Sequence, residues 1–162
     1  MRKSGHIQLR VTPAQKADLT RRARAAGKDL SAWMLERLAP ESRLAFTTLV
    51  RSLSTTEHPS HVLAELNDLL GSLGRGEFTV TVGDVSLTHL DELRANQVAA
   101  MVETRAARLG VRPPSWVEGV PPLRAPWFAT NLISLRLHLL SSSPPAFRRR
   151  NLFVDATVGD RV

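Results

Sequence analysis

HIQLRVTPAQKADLTRRARAAGKDLSAWMLERL, residues 6–38, is the stretch on which the reading of the fold turns. Ile7, Leu9 and Val11 alternate with His6, Gln8, Arg10 and Thr12, the period of a strand with one apolar and one polar face. Thr12-Pro13-Ala14-Gln15 then carries the marks of a helix start, with Thr12 as N-cap, Pro13 at the first helical position and Gln15 reaching back as a capping box. The spacing predicts a helix to about Ala26, with a thin apolar stripe of Ala17, Leu19, Ala23 and Ala26. Arg21, Arg22 and Arg24 keep the other side wet, and Gly27 ends the helix. Leu30 and Ser31 open a second, more apolar helix carrying Trp33, Met34, Leu35 and Leu38 up to the break at Ala39-Pro40.

A lone short strand has unpaired edges on both sides and must borrow a partner, and self-pairing is the simplest solution. Two copies aligned antiparallel about a two-fold axis put Ile7, Leu9 and Val11 onto the helices and leave His6, Gln8 and Arg10 outside. Such a two-stranded ribbon fits the DNA major groove, where Arg10 suits guanine, Gln8 suits adenine, and His6 donates or accepts according to its protonation. The competing reading of these three residues is the solvated face of an edge strand.

Residues 5–39 resemble the ribbon-helix-helix superfamily of MetJ and Arc type repressors and many bacterial antitoxins. The matching pieces are the apolar strand, the Thr12-Pro13 helix start, the Ala26-Gly27-Lys28 exit and the Leu30-Ser31 entry to the second helix. The resemblance implies base contacts from His6, Gln8 and Arg10. It also implies a DNA phosphate at the start of the second helix, near Ser31 and helped by Lys28, where free N–H groups gather in any case. Asp29 departs from this pattern, since an acidic side chain in a phosphate-facing turn weakens the contact unless it points away. Arg2 and Lys3 are either a phosphate-contacting arm or plain disorder. Ile7, Leu9, Val11, Trp33 and Leu38 are expected to hold the dimer core.

Charge is consistent with a polyanion partner at this end. The chain has 162 residues and a net charge of +7, and residues 1–51 hold 11 basic against 4 acidic side chains. Residues 52–111 reverse the balance with 4 basic against 8 acidic, and residues 112–162 return to 7 against 3. An ordinary solvated basic surface is the alternative. The absence of cysteine excludes disulfides and thiolate chemistry. With no long apolar run and no signal-peptide pattern, the expectation is a soluble, cytoplasmic protein with no membrane partner.

Beyond Pro40 the pattern predicts a mostly helical middle region, residues 52–110, following a DNA-binding and dimerisation module over residues 1–51. Helical spacing resumes from Glu41 with Leu44, Leu49, Val50 and Leu53, and again after Pro59 with Val62, Leu63, Leu66, Leu69, Leu70 and Leu73. Phe78, Val80 and Val82 alternate with Thr79 and Thr81 as a second strand candidate, and Thr88 is read as the cap of a long helix closed by Gly110. No carboxylate pair, HExxH, nucleophile elbow or phosphate loop is present, and His58, His61, His89 and His138 are scattered. The expectation is therefore no enzyme, no metal and no cofactor.

Residues 111–162 hold seven of the ten prolines and read as an extended segment with aromatic anchors, of which only Asn131–Leu140 looks regular, as strand or helix. Trp116, Trp127, Phe128, Phe147 and Phe153 cannot bury themselves within such a segment. They either wrap the chain's own helices or capture a second protein, with Arg148, Arg149 and Arg150 meeting an acidic patch. About residues 88–162 are similar to short bacterial proteins found beside nucleotidyltransferase-like toxins, through RAARLGVRPPSWV, PPLRAPWF, LISLRLHLL and the Phe147-Arg148-Arg149-Arg150-Asn151 motif.

The sequence-based expectation is thus a mainly α protein with short β. It has an N-terminal ribbon-helix-helix, intertwined as a homodimer through a two-stranded antiparallel ribbon, followed by helices and an extended proline-rich C-terminal segment. Its expected function is that of a type II antitoxin of a toxin-antitoxin system and autoregulatory transcriptional repressor, whose partners are double-stranded operator DNA, a second copy and a cognate toxin. The rival is a stand-alone transcription factor with a C-terminal effector-sensing or oligomerisation domain.

Overall fold

Local chemistry sets the first helix. Thr12 Oγ1 accepts from the Gln15 amide at 3.3 Å while Gln15 Oε1 accepts from the Thr12 amide at 2.9 Å, so two donors that a helix leaves bare are satisfied reciprocally. Helix α1 follows as Pro13–Ala25, and Gly27, at φ 67°, takes the chain out of it. The computed structural model describes residues 11–27, 29–30, 33–34 and 41–155. Leu30, Trp33 and Met34 are again helical. The chain divides into two units, Met1–Ala39 and Pro40–Val162.

The second unit is built around one long helix. Its elements are α2 (Glu41–Ser52), α3 (Pro59–Ser72), α4 (Arg75–Thr81), α5 (Glu92–Leu109), α6 (Ser115–Glu118), β1 (Trp127–Phe128), α7 (Ile133–Ser142), α8 (Pro145–Arg148) and β2 (Leu152–Phe153). In α5 every residue from Asn96 to Val102 is buried, which requires cover on more than one side. Helix α3 covers one side and α8 another, while α2 packs on α3 and on α4. Small side chains at Ala99, Ala100 and Ala106, all fully buried, let these neighbours approach closely. Phe46 and Val50 of α2, Leu66 and Leu70 of α3, and Phe78 of α4 fill the space between them, with Leu152 and Val154 closing it from the C-terminal side.

Helix α5 has firm ends. Asp91 caps it by accepting from the Arg94 amide at 2.7 Å. Gly110 leaves it in the left-handed region at φ 62°, and the Arg75 side chain donates to the Leu109 carbonyl at 3.1 Å, placing a cation at the negative end of the dipole.

The expected fold class is corrected. Among the described residues there are eight helices, and the one sheet is a two-stranded parallel pair, Trp127 beside Leu152 and Phe128 beside Phe153. No N-terminal antiparallel ribbon is present among them, so the intertwined ribbon-helix-helix does not describe this chain. A ribbon draws its second strand from another copy, and no described residue of this chain supplies an antiparallel neighbour. Val11, expected on the buried strand face, belongs to no strand and is 37% exposed. Ile7 and Leu9 lie outside the described residues.

Two further expectations change. The strand candidate at Phe78, Val80 and Val82 is α4, because Phe78 and Val82 also stand four apart on one helical face, where both are buried, while Val80 points outward at 46% exposure. The long helix begins after Asp91, three residues beyond the expected Thr88 cap, whose hydroxyl instead pairs with that of Ser86. The C-terminal segment, expected to be extended, contains α6, α7 and α8 between its prolines. Among the described residues no helix is long and apolar enough to cross a membrane.

Truncating the ring of fully buried Phe46 is expected to cost about 3–5 kcal/mol in Phe46→Ala, from lost transfer energy and the cavity left behind. Gly110→Ala, which forces a Cβ into the left-handed region, is expected to cost about 1–2 kcal/mol. Urea denaturation of each variant measures both.

Candidate functional site

The motif Phe147-Arg148-Arg149-Arg150-Asn151 is where the C-terminal segment is locked. Pro144 and Pro145 start α8, which buries Phe147 and delivers Arg150 into the body of the unit. Arg150 is only 6% exposed. Its guanidinium donates to the Val117 carbonyl at 2.8 Å, to the Val120 carbonyl at 3.0 Å and to Asn96 Oδ1 at 3.4 Å, and Nε stands 3.5 Å from Glu103 Oε2 as an ion pair. Arg149 binds the other oxygen of the same carboxylate. Burial pushes the Arg150 guanidinium below the ordinary arginine range, Glu103 opposes that, and neighbouring Arg149 adds to it.

One buried cation therefore ties together α5, through Asn96 and Glu103, with α6, through the Val117 carbonyl, and the loop after it, through the Val120 carbonyl. Asn96 completes the knot by donating to the carbonyls of Glu92 at 2.9 Å and Pro121 at 3.0 Å. Asn151 continues it. At φ 57° it occupies the left-handed conformation that asparagine tolerates, and its amide nitrogen donates to the Leu123 carbonyl at 2.6 Å. The Asn151 carbonyl then accepts from the Trp127 amide at 2.8 Å and starts the parallel pairing.

The aromatic residues expected as anchors for a partner are divided by the structure. Phe147 and Phe153 are buried in the unit, and Trp116 and Trp127 are half-buried against its core. The Trp116 indole nitrogen donates to the carbonyls of Val82 at 2.9 Å and Gly83 at 2.7 Å, pinning that ring to the turn after α4. Phe128 stacks on Phe153 with centroids 4.9 Å apart, and the Arg136 guanidinium lies 5.0 Å above the Phe128 ring. Of the three arginines only Arg148 and Arg149 reach the surface, Arg149 in its ion pair with Glu103. The segment thus wraps its own chain with most of these rings.

Helix α7 falls on the stretch Asn131–Leu140 that the sequence reads as regular, strand or helix, but its open side is not something the sequence singled out. Arg136 over Phe128 and the buried Leu139 hold it, and Ser143 at its end accepts from the Val154 amide at 2.9 Å. Its other side is open: Ile133 is 77%, Leu137 78% and Leu140 41% exposed. Asn96 and Glu103 were also missed, although their spacing of seven puts both on one face of a helix.

In the N-terminal unit, Lys16, Arg21 and Arg24 lie with Pro13, Ala17 and Thr20 along one face of α1, bordering an open cleft. Asp18 pairs with Arg21 and, at 2.8 Å, with Arg22. Trp33 is buried and its amide donates to the Asp29 carbonyl at 3.0 Å. Arg2, Lys3, His6, Gln8, Arg10, Lys28 and Ser31, expected to meet DNA, lie outside the described residues, as does Leu38 of the expected dimer core. Among the described residues no group of three or more metal-ligating side chains comes together.

No protein-family model, no curated protein and no solved structure matches this chain.

Removing a buried partner leaves the others stranded, so Arg150→Ala is expected to lower unfolding free energy by about 3–5 kcal/mol. Arg149→Ala, whose guanidinium is largely in solvent, is expected to cost less than about 1 kcal/mol. Chemical denaturation of the two variants side by side checks this contrast.

Proposed function

We propose that this chain is a DNA-binding antitoxin and autoregulatory repressor: its N-terminal unit binds operator DNA and its C-terminal unit holds and silences a cognate toxin, nucleotidyltransferase-like in class. The observation that carries the reading is the division of surface chemistry between the two units. Residues 1–39, the first unit, hold nine basic against three acidic side chains, and Lys16, Arg21 and Arg24 share one face of α1, a pattern suited to phosphates. The C-terminal unit instead exposes a leucine-rich helix on an otherwise well-packed body, a pattern suited to protein. The choice of toxin as partner rests on the resemblance read from the sequence of residues 88–162.

A second reading has its own observation. Val85, Leu87, Leu90, Trp116 and Val120 line an open cleft of about 430 Å³ with Glu92 at its edge, a surface suited to a small apolar effector of a stand-alone transcription factor. Purification separates the two. Coexpression with the product of the adjacent open reading frame is expected to yield a stoichiometric complex. A lone protein whose melting temperature rises with small apolar ligands favours the effector reading.

On promoter DNA, the logarithm of the binding constant is expected to fall linearly with the logarithm of salt concentration. In a Lys16→Ala/Arg24→Ala double variant that slope is expected to drop by about two, one for each phosphate that the variant no longer neutralises. A wild-type protein that gives no gel shift at low salt counts against the DNA-binding half of the proposal.

A further inference from the structure

We infer that α7 is the docking element for the partner protein. Ile133, Leu137 and Leu140 enter an apolar groove whose rim carries carboxylates, on a protein other than a second copy of this chain. The inference rests on the proposed antitoxin reading and names the surface and the chemistry that reading lacks.

The helix itself calls for cover. Five of its ten residues, Ile133, Leu135, Leu137, Leu139 and Leu140, are apolar, and only Leu139 is buried. At 100° per residue, Leu135 and Leu139 fall on the side toward the body, while Ile133, Leu137 and Leu140 form a separate ridge at the i, i+4, i+7 spacing of a helix seated in a groove. A helix apolar on two sides is stable when both are covered. Here the second side, with Ile133 at 77% and Leu137 at 78% exposure, faces water.

Charge selects the occupant. From Gly119 to Val154 the chain contains no aspartate or glutamate, against Arg124, Arg136, Arg148, Arg149 and Arg150. Arg136 sits on α7 itself, beside His138, and both are exposed. Two α7 helices facing one another about a two-fold axis bring Arg136 toward its copy with no carboxylate in that stretch to neutralise either, an arrangement that repels. Size points the same way. A ten-residue helix is about 15 Å long, and two of them side by side cover far less than the ~800 Å² per partner of a stable interface. Seated in a groove, the same ridge meets walls on both flanks, and an acidic rim pairs with Arg136 and steers association.

The experiment uses the full-length chain coexpressed with the product of the adjacent open reading frame. Ile133→Glu and Leu137→Glu are compared with Leu44→Glu, a 66% exposed leucine on α2 outside the ridge. Expected are unchanged melting for all three, a loss of affinity of about thirtyfold or more for the two ridge variants, and near wild-type affinity for Leu44→Glu. Arg136→Glu is expected to slow association several-fold at low salt. A complex that survives Ile133→Glu and Leu137→Glu, or that Leu44→Glu weakens equally, overturns the inference and leaves the antitoxin reading standing. Concentration-dependent self-association of the isolated chain, abolished in Leu137→Glu, assigns the ridge to a second copy and overturns it. So does sedimentation with phosphatidylglycerol vesicles that Leu137→Glu abolishes. No complex with any variant, wild type included, overturns the proposed function and the inference together.

Discussion

The buried guanidinium of Arg150 is the constraint on which the C-terminal unit depends. A cation so far from solvent persists only where acceptors meet it from several directions. Here they come from Asn96 and Glu103 of α5 and from the backbone at Val117 and Val120. These acceptors belong to separate stretches of chain, so satisfying one charge fixes the mutual position of the long helix, α6 with the loop after it, and the residues that lead into β2. Asn151 and Trp127 then convert that fixed point into a strand pairing two residues long. Such a short sheet has little stability of its own; it exists because its two strands are already held in place.

The elements most legible in the sequence were those set by neighbours close along the chain. Thr12, Pro13 and Gln15 announce α1 because a capping box is complete within four residues. Gly110 announces the end of α5 because left-handed backbone has few other occupants. The leucines of α3 recur at helical spacing over its whole length, and no rival period fits so many of them. Where only three apolar positions were available, period two and period 3.6 could not be separated. Phe78, Val80 and Val82 alternate as in a strand, while Phe78 and Val82 alone also stand one helical turn apart, and packing on α2 decided for a helix.

The site was less legible, and for a different reason. The interest of Phe147-Arg148-Arg149-Arg150-Asn151 was visible in its composition, but three consecutive arginines look alike until the fold turns one inward. That Arg150 is enclosed while Arg148 and Arg149 face outward depends on the four-residue helix before it, and on Asn96 and Glu103 some fifty residues earlier. The expected ribbon failed similarly: alternation at Ile7, Leu9 and Val11 describes a face, whereas a sheet also requires a neighbour, which no pattern along one chain supplies. The exposed side of α7 was hidden by its own composition, because Asn131–Leu140 looks apolar enough to be core.

The parallel pairing of β1 with β2 carries a consequence for biosynthesis. Helices α2 to α5 present an apolar surface that Phe147, Leu152 and Val154 help to close, and these residues leave the ribosome more than thirty positions after the last turn of α5. The N-terminal unit, by contrast, is synthesised in full before α2. During translation the first unit is free to take shape while the second waits with its greasy flank uncovered, a window in which chaperones and proteases have access to it. A product truncated after α5 would lack Phe147, Leu152 and Val154 and leave that flank uncovered.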